Sequence, residues 1–375
     1  MRFLHLHSTF SAGGKELRCV QLINAFGPAI GHTIVSGVPG AMGAADHFAA
    51  EARVDFPTDF PSLAGKPWPW RLLGLARAMA GYDLVLTYNW GAMDAALAHA
   101  LYSMPMGLPP LIHHEDGFNE DERNGLNPWR NRYRRLALAR AQHLVVPSET
   151  LEQVALGAWN QPPRRVRRIP NGIDTAAFAA APMRDAIPGL VKPAGEKWVG
   201  TLAGLRQIKN LPRLVRAFSG LPAPWKLVIV GEGPEEHAIR AEADRAGVGD
   251  RVILPGFAAE PARYVGLFDI FALSSDSEQF PISLVEAMAA GLPVAAPSVG
   301  DVAAMVAPAN VPYVVAAGDD TALGAALLAL SGDEALRRKI GEANRARACE
   351  RFDASEMVAA YRKLYGRAAG IDEGL

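Results

Sequence analysis

Cysteine is nearly missing from this chain: Cys19 and Cys349 are the only two in 375 residues. Two thiols so far apart in sequence argue against a disulfide framework and for a reducing cytoplasm. No apolar run reaches the roughly 20 residues that a membrane-spanning helix needs. The opening Met1-Arg2-Phe3-Leu4-His5-Leu6 is too short and too polar for a signal peptide. Excess charge is lacking as well. The formal net charge is −1, so no global attraction to nucleic acid is expected. There is no repeat of fixed period and no low-complexity tract. No complete glycine-rich dinucleotide fingerprint follows the first strand. Gly231-Glu232-Gly233-Pro234 begins one, but Glu236 stands at the third glycine. A NAD-dependent dehydrogenase is therefore disfavoured.

What is present reads as alternating strand and helix. Half of the residues are apolar, and the length is enough for two α/β domains. Strands are predicted at 2–7, 31–35, 84–87, 111–113 and 143–148, the last of these closing the first domain. A loop ending in Gly13-Gly14 precedes a helix over about 15–26, and a glycine pair there lets a ligand approach the backbone. Residues 37–70 read as an irregular excursion in which Trp68-Pro69-Trp70 is a packing feature. The strand at 111–113 leads into a polar, acidic loop from His114 through Glu115, Asp116 and Gly117 to Glu122. A basic helix follows over 128–142, with Arg130, Arg132, Arg134, Arg135 and Arg140. It reads as a solvated face or as a contact with an anionic membrane surface. Arg164 to Asp174 forms the domain boundary. Strands then recur at 198–202, 226–230, 252–257, 269–275 and 313–315, with helices at 211–218, 320–330, 333–349 and 353–366.

The most informative stretch runs from Asp276 to Val294. Pro281 fits the first turn of a helix, and Ile282, Val285 and Met288-Ala289 recur at helical spacing. Gly291 and Pro293 stop that helix. Glu278 lies in the loop before the helix and Glu286 lies on it. The carboxyl edge of an open α/β sheet is where ligands bind, and a helix N-terminus there offers free N–H groups to an anion.

This string resembles the signature of the retaining glycosyltransferases of family 4, which have the GT-B fold. A serine-rich strand end, Glu278, Phe280-Pro281, Glu286-Ala287-Met288 and Gly291-Leu292-Pro293-Val294 carry the likeness, with Gln279 where the family usually has Gly. Gly13-Gly14 followed by Glu16, Pro170-Asn171-Gly172-Ile173-Asp174 with Phe178, Lys209-Asn210, and Val252 to Phe257 with Gly256 are similar to further family segments. The likeness runs from Gly13 to about Tyr365. Gly204 stands where the family often has Arg, and Ala304 where it usually has Glu.

The resemblance implies two Rossmann-like domains facing a cleft: 1–168 for the acceptor, 169–351 for the nucleotide sugar, and 352–375 as a helix returning to the first domain, with Tyr361 and Tyr365 as its packing residues. It implies that Arg206 and Lys209 hold the donor diphosphate, with N–H groups near Phe280, Pro281, Ile282 and Ser283 facing the phosphate. Glu286 would bind ribose hydroxyls, Glu278 the transferred sugar, and Gly256 the base. Gly14 and Asn171 would complete the donor contacts. A His near 113–116 would contact the sugar. His113, His114 and Asp116 all compete for that place, with His114 preferred, and Glu115 and Asp116 would meet the acceptor. The implied reaction moves a hexose from a nucleotide diphosphate sugar to an acceptor hydroxyl with retention. It needs no cofactor and no metal, although Asp276-Ser277-Glu278 looks like a metal-binding Asp-x-Asp. The expected partners are the donor, a glycan or lipid-linked acceptor in envelope or exopolysaccharide assembly, and the inner membrane face. The alternatives are a sugar-nucleotide epimerase and a non-catalytic binding module.

Overall fold

A computed structural model describes residues 1–117, 122 and 125–371. The part of the acidic loop at 118–121 lies outside the described residues. The chain divides into two compact units. One holds Met1–Pro170 together with the chain from Met357 onward, and the other holds Asn171–Glu356.

The first unit opens with β1 (Arg2–His7), α1 (Gly14–Phe26), β2 (Gly31–Ser36) and β3 (Arg53–Asp55). Then come α2 (Pro69–Met79), β4 (Leu84–Tyr88), α3 (Met93–Met106) and β5 (Leu111–His114). It continues through α4 (Pro128–Ala137), β6 (His143–Val146), α5 (Glu149–Leu156) and β7 (Val166–Arg168). The seven strands are all parallel in the order β3-β2-β1-β4-β5-β6-β7. Strands such as Leu84-Val85-Leu86 are buried on both faces, as a parallel sheet covered by helices requires.

Three expectations need correction here. β6 is not the last strand, because the basic run at 164–168 pairs as β7 beside it. Val166 is buried while Arg167 and Arg168 are exposed, so a charged sequence hides a sheet-edge strand. The stretch 37–70 contains β3 and ends inside α2, with Pro69 at the helix start. Trp68 and Trp70 are not packed inside. They are 51% and 70% exposed and stack on each other.

The second unit runs through α6 (Thr175–Ala179), β8 (Lys197–Leu202), α7 (Leu211–Ser219), β9 (Trp225–Val230) and α8 (Glu236–Arg245). β10 (Val252–Gly256), β11 (Ile270–Ala272), α9 (Ile282–Ala289) and β12 (Val294–Pro297) follow. α10 (Val302–Met305), β13 (Val314–Val315), α11 (Asp320–Gly332) and α12 (Glu334–Arg351) complete it, before α13 (Ala354–Ala368). Its six parallel strands are ordered β10-β9-β8-β11-β12-β13. α9 ends where the sequence places it: Leu292 N–H bonds Ala287 O at 3.0 Å and Gly291 N–H bonds Met288 O at 2.9 Å.

α13 carries the chain back to the first unit. Tyr361 and Tyr365 are buried there against Phe3, Phe26 and His114. No helix among the described residues is long and apolar enough to cross a membrane.

Candidate active site

In the second sheet the strand order reverses between β8 and β11, the place where an open α/β sheet leaves a crevice at its carboxyl edge. The loops after these two strands are stitched together. Asp276 N–H donates to Ile208 O at 2.9 Å, and Ser274 Oγ donates to Lys209 O at 2.9 Å. On that frame Lys209 Nζ reaches Glu278 Oε1 at 2.5 Å, and Ser275 Oγ donates to the same oxygen at 2.6 Å. The Glu278 side chain is only 9% exposed, so it is held by charge and hydrogen bond out of bulk water. Gly300 closes the far side. Its φ is +53°, and a Cβ there would stand 2.2 Å from Glu278 O, so the backbone of the Glu278 loop fits only against glycine.

Asp276 is committed elsewhere. It accepts from Arg213 Nη1 at 2.8 Å and from Asn210 Nδ2 at 3.1 Å. Asp276 and Glu278 are thus each neutralised by a cationic side chain. Arg206 is exposed, its guanidinium has no hydrogen bond or ion pair among the described residues, and its side chain lies over Gly204. α9 begins at Ile282 after Pro281, which gives no side-chain cap. Leu284 N–H turns back to Pro281 O, leaving the first-turn N–H groups of Ile282 and Ser283 at a helix start without intrahelical acceptors. Phe280 rests edge-on against Phe352 and fixes the approach to that helix.

Glu286 projects from the second turn of α9. Burial pushes its carboxyl up to about 7. The carboxylate oxygens make no hydrogen bond among the described residues, and the charge is felt by the buried Tyr264 phenol, whose hydroxyl donates to Ala258 O at 3.0 Å. Gly256 ends β10, with its carbonyl bonded by Gly231 N–H at 2.9 Å. Asn171 opens the second unit. Its neighbours Gly172 and Ile173 are stitched to Phe352, Asp353 and Ala354 at the other end of that unit's chain.

Three side chains of the first unit that the sequence reading put at the site or in solvent are buried: Glu115, Arg134 and His114. His114 lies at the end of β5. Its Nε2 pairs with Tyr365 Oη at 2.7 Å and its Nδ1 with Thr87 O at 3.2 Å, both in the core. Burial, with the Arg18 charge behind it, holds its pKa well below the usual histidine range. Glu115 is also buried, with Arg134 Nε at 3.5 Å and His113 Nε2 at 3.7 Å. The alternation of β5 explains this burial, since both faces of this strand are covered. Asp116, the first residue to emerge, is gripped at both oxygens by Arg18, one contact being 2.9 Å. Arg134, assigned to the solvent face of α4, is buried and bound to Glu122 at 2.8 Å. Gly14 is exposed at the start of α1, while Glu16 folds back beside Gly13.

Two models of known families match almost end to end. Residues 12–177 match the one described as Glycosyltransferase Family 4, and residues 183–347 the one described as Glycosyl transferases group 1. The chain belongs to the group 1, family 4 glycosyltransferases. N-acetyl-alpha-D-glucosaminyl L-malate synthase of Bacillus anthracis is 27% identical over 207 residues, covering 55% of this chain and 54% of that protein. The putative glycosyltransferase EpsF of Bacillus subtilis (strain 168) is 31% identical, with 52% of each covered. The match therefore spans about half the length of these relatives. Among solved structures, Anabaena Alr3699/HepE in complex with UDP superposes with a TM-score of 0.82 at 21% identity, over 98% of this chain and all of that one. A sucrose-phosphate synthase of Thermosynechococcus elongatus gives 0.78 at 21% identity, over 98% of this chain and 99% of that one. These likenesses establish the GT-B fold for this family 4 chain.

Sequence reasoning missed Arg18, Asn89 and Asp94. Asn89 sits at φ +53° after β4 and accepts Asp116 N–H at 2.8 Å. Asn is one of the few side chains that tolerate that conformation, so Asn89 before Trp90-Gly91 was the available signal. Among the described residues one group has metal-ligand spacing, namely His5, His7 and Cys19. The charges of Lys15 and Arg18 press on His7, which disfavours a cation there.

Proposed function

We propose that this chain transfers a sugar from a nucleotide diphosphate sugar to an acceptor hydroxyl with retention of anomeric configuration, in the assembly of an envelope or extracellular glycan. The observation that carries the reading is the Lys209–Glu278 pair at the sheet reversal, beside the uncapped start of α9. Arg206, Lys209 and the N–H groups of Ile282 and Ser283 supply positive charge where a diphosphate leaves. Glu278 offers carboxylate lone pairs to hydroxyls of the transferred sugar, and Glu286 offers them to the ribose. Gly256 supplies backbone polar groups for the base. The UDP and UDP-glucose complexes of the Anabaena protein support a nucleotide sugar as the donor class.

The same reading makes a divalent ion unnecessary, because Asp276 and Glu278 are spent on Arg213 and Lys209. The experiment is transfer from a panel of nucleotide sugars in excess chelator, with product stereochemistry read by NMR. Activity that persists and disappears in Lys209→Ala supports the proposal. Activity restored only by magnesium or manganese overturns the metal-free assignment. Interconversion of the donor without acceptor would mark an epimerase, and neither reaction would mark a binding module.

A further inference from the structure

The first unit has its own sheet reversal, between β1 and β4, and a crevice of about 430 Å³ opens there. Its size suits a small organic ligand. Ser8, Gly37, Trp90, Gly91, Asp94 and Tyr133 are among its lining residues. The loops after β1 and β4 meet closely at its floor: a Cβ on Gly91 would stand 2.1 Å from Ser8 Cβ. Trp90 and Tyr133 form a tilted aromatic pair with ring centres 5.5 Å apart. Asp94 is fixed by Arg71 Nη1 at 2.6 Å and by the Tyr133 hydroxyl. Each carboxylate oxygen keeps acceptor capacity for a ligand hydroxyl.

Pro67 lines the same crevice, and the exposed Trp68 and Trp70 follow it directly. Their rings stack with centres 5.4 Å apart and planes 10° apart. The next residue, Arg71, ties this platform down. Besides Asp94 it donates from Nε to Ser62 O at 3.2 Å and also bonds Leu63 O. The segment that carries the indole pair is therefore anchored beside the crevice.

We propose that this crevice seats the acceptor, and that the acceptor is a glycan presenting at least two sugar rings. One ring lies in the crevice with hydroxyls on Asp94, and the next stacks on Trp68 and Trp70. The proposal rests on the transferase reading and names the substrate class of its acceptor side. Sugar rings combine an apolar C–H face with a rim of hydroxyls, which is what an aromatic surface beside a fixed carboxylate matches.

The test titrates the purified chain with gluco-, galacto- and manno-oligosaccharides of one, two and three rings, read by tryptophan fluorescence and calorimetry. The expected result is saturable binding that tightens from one ring to two. In Trp68→Ala/Trp70→Ala that gain disappears and two-ring affinity falls about tenfold, while Asp94→Asn weakens one-ring and two-ring ligands alike. Absence of binding across the panel, or equal affinity in the tryptophan variant, overturns the proposal. Thermal shift by UDP and GDP is measured in parallel. Saccharide binding without any nucleotide response would sink the transferase reading while leaving the glycan site standing.

Discussion

Lys209 Nζ and Glu278 Oε1 stand 2.5 Å apart across 69 residues of sequence. The pair joins the loops after β8 and β11 and gives each loop's charged group its partner. In the proposed donor complex, diphosphate and sugar hydroxyls compete for groups that already hold each other, and binding exchanges one set of charge-assisted bonds for another.

The two residues are expected to act as a unit. Lys209→Ala and Glu278→Gln each lower kcat/KM for the donor by at least about tenfold, a charge-assisted hydrogen bond being worth about 1.5–3 kcal/mol. The double variant loses less than the sum. Because Lys209 is 28% exposed, each substitution costs only about 1 kcal/mol or less in stability. Steady-state kinetics and denaturant melts on the four proteins of the cycle check both statements. Strictly additive losses in kcat/KM would refute the coupling.

Glu286 makes stability and donor affinity depend on pH in opposite senses. Its folded-state pKa of about 7 lies above the ordinary 4.5, so the folded chain holds a proton that the unfolded chain has released. The contribution is fully present below pH 4.5 and is lost as pH rises through about 7. Its total is roughly 3 kcal/mol. In Glu286→Gln the decline across that window flattens. In the proposed donor complex ribose hydroxyls donate to the ionised form, so donor affinity is expected to rise over the same interval. Urea melts and donor titrations from pH 4.5 to 8 measure the two slopes.

Tyr365 Oη and His114 Nε2, 2.7 Å apart, fasten α13 to β5. Tyr365→Phe leaves a buried ring nitrogen without a partner, at a cost of about 1–3 kcal/mol. The expected result is a lower Tm and faster hydrogen exchange in α13, with donor affinity unchanged. A selective loss of transfer at normal Tm would place His114 in the catalytic site.

The solvent face of α4 offers Trp129, 75% exposed, with Arg132 over its ring and Arg135 nearby. We propose that this face rests on anionic lipid. Each basic residue near such a surface contributes about 1 kcal/mol. Arg132→Glu/Arg135→Glu then weakens sedimentation with phosphatidylglycerol vesicles by at least about thirtyfold. Binding that ignores lipid charge refutes the assignment.

The sequence alone determined the parts of this protein that are local. The Asp276–Val294 string specifies strand end, helix start and helix stop through residues adjacent in the chain, and these form as read. Alternating strands and helices specified two α/β units, because burial of apolar runs depends on periodicity. The tertiary structure decided which polar groups meet. Arg18 grips Asp116 from 98 residues away, and His114 meets Tyr365 from 251 away. Neither pairing leaves a mark in local composition, so a buried histidine at a strand end looked like a free one. The exposed pair Trp68 and Trp70 misled in the other direction. Hydrophobicity favours burial, but Pro69 starts a helix there and turns both rings to solvent. Charge pairing, burial and strand order act across the fold, and they alone placed Lys209 against Glu278 and Asp94 beneath the aromatic crevice.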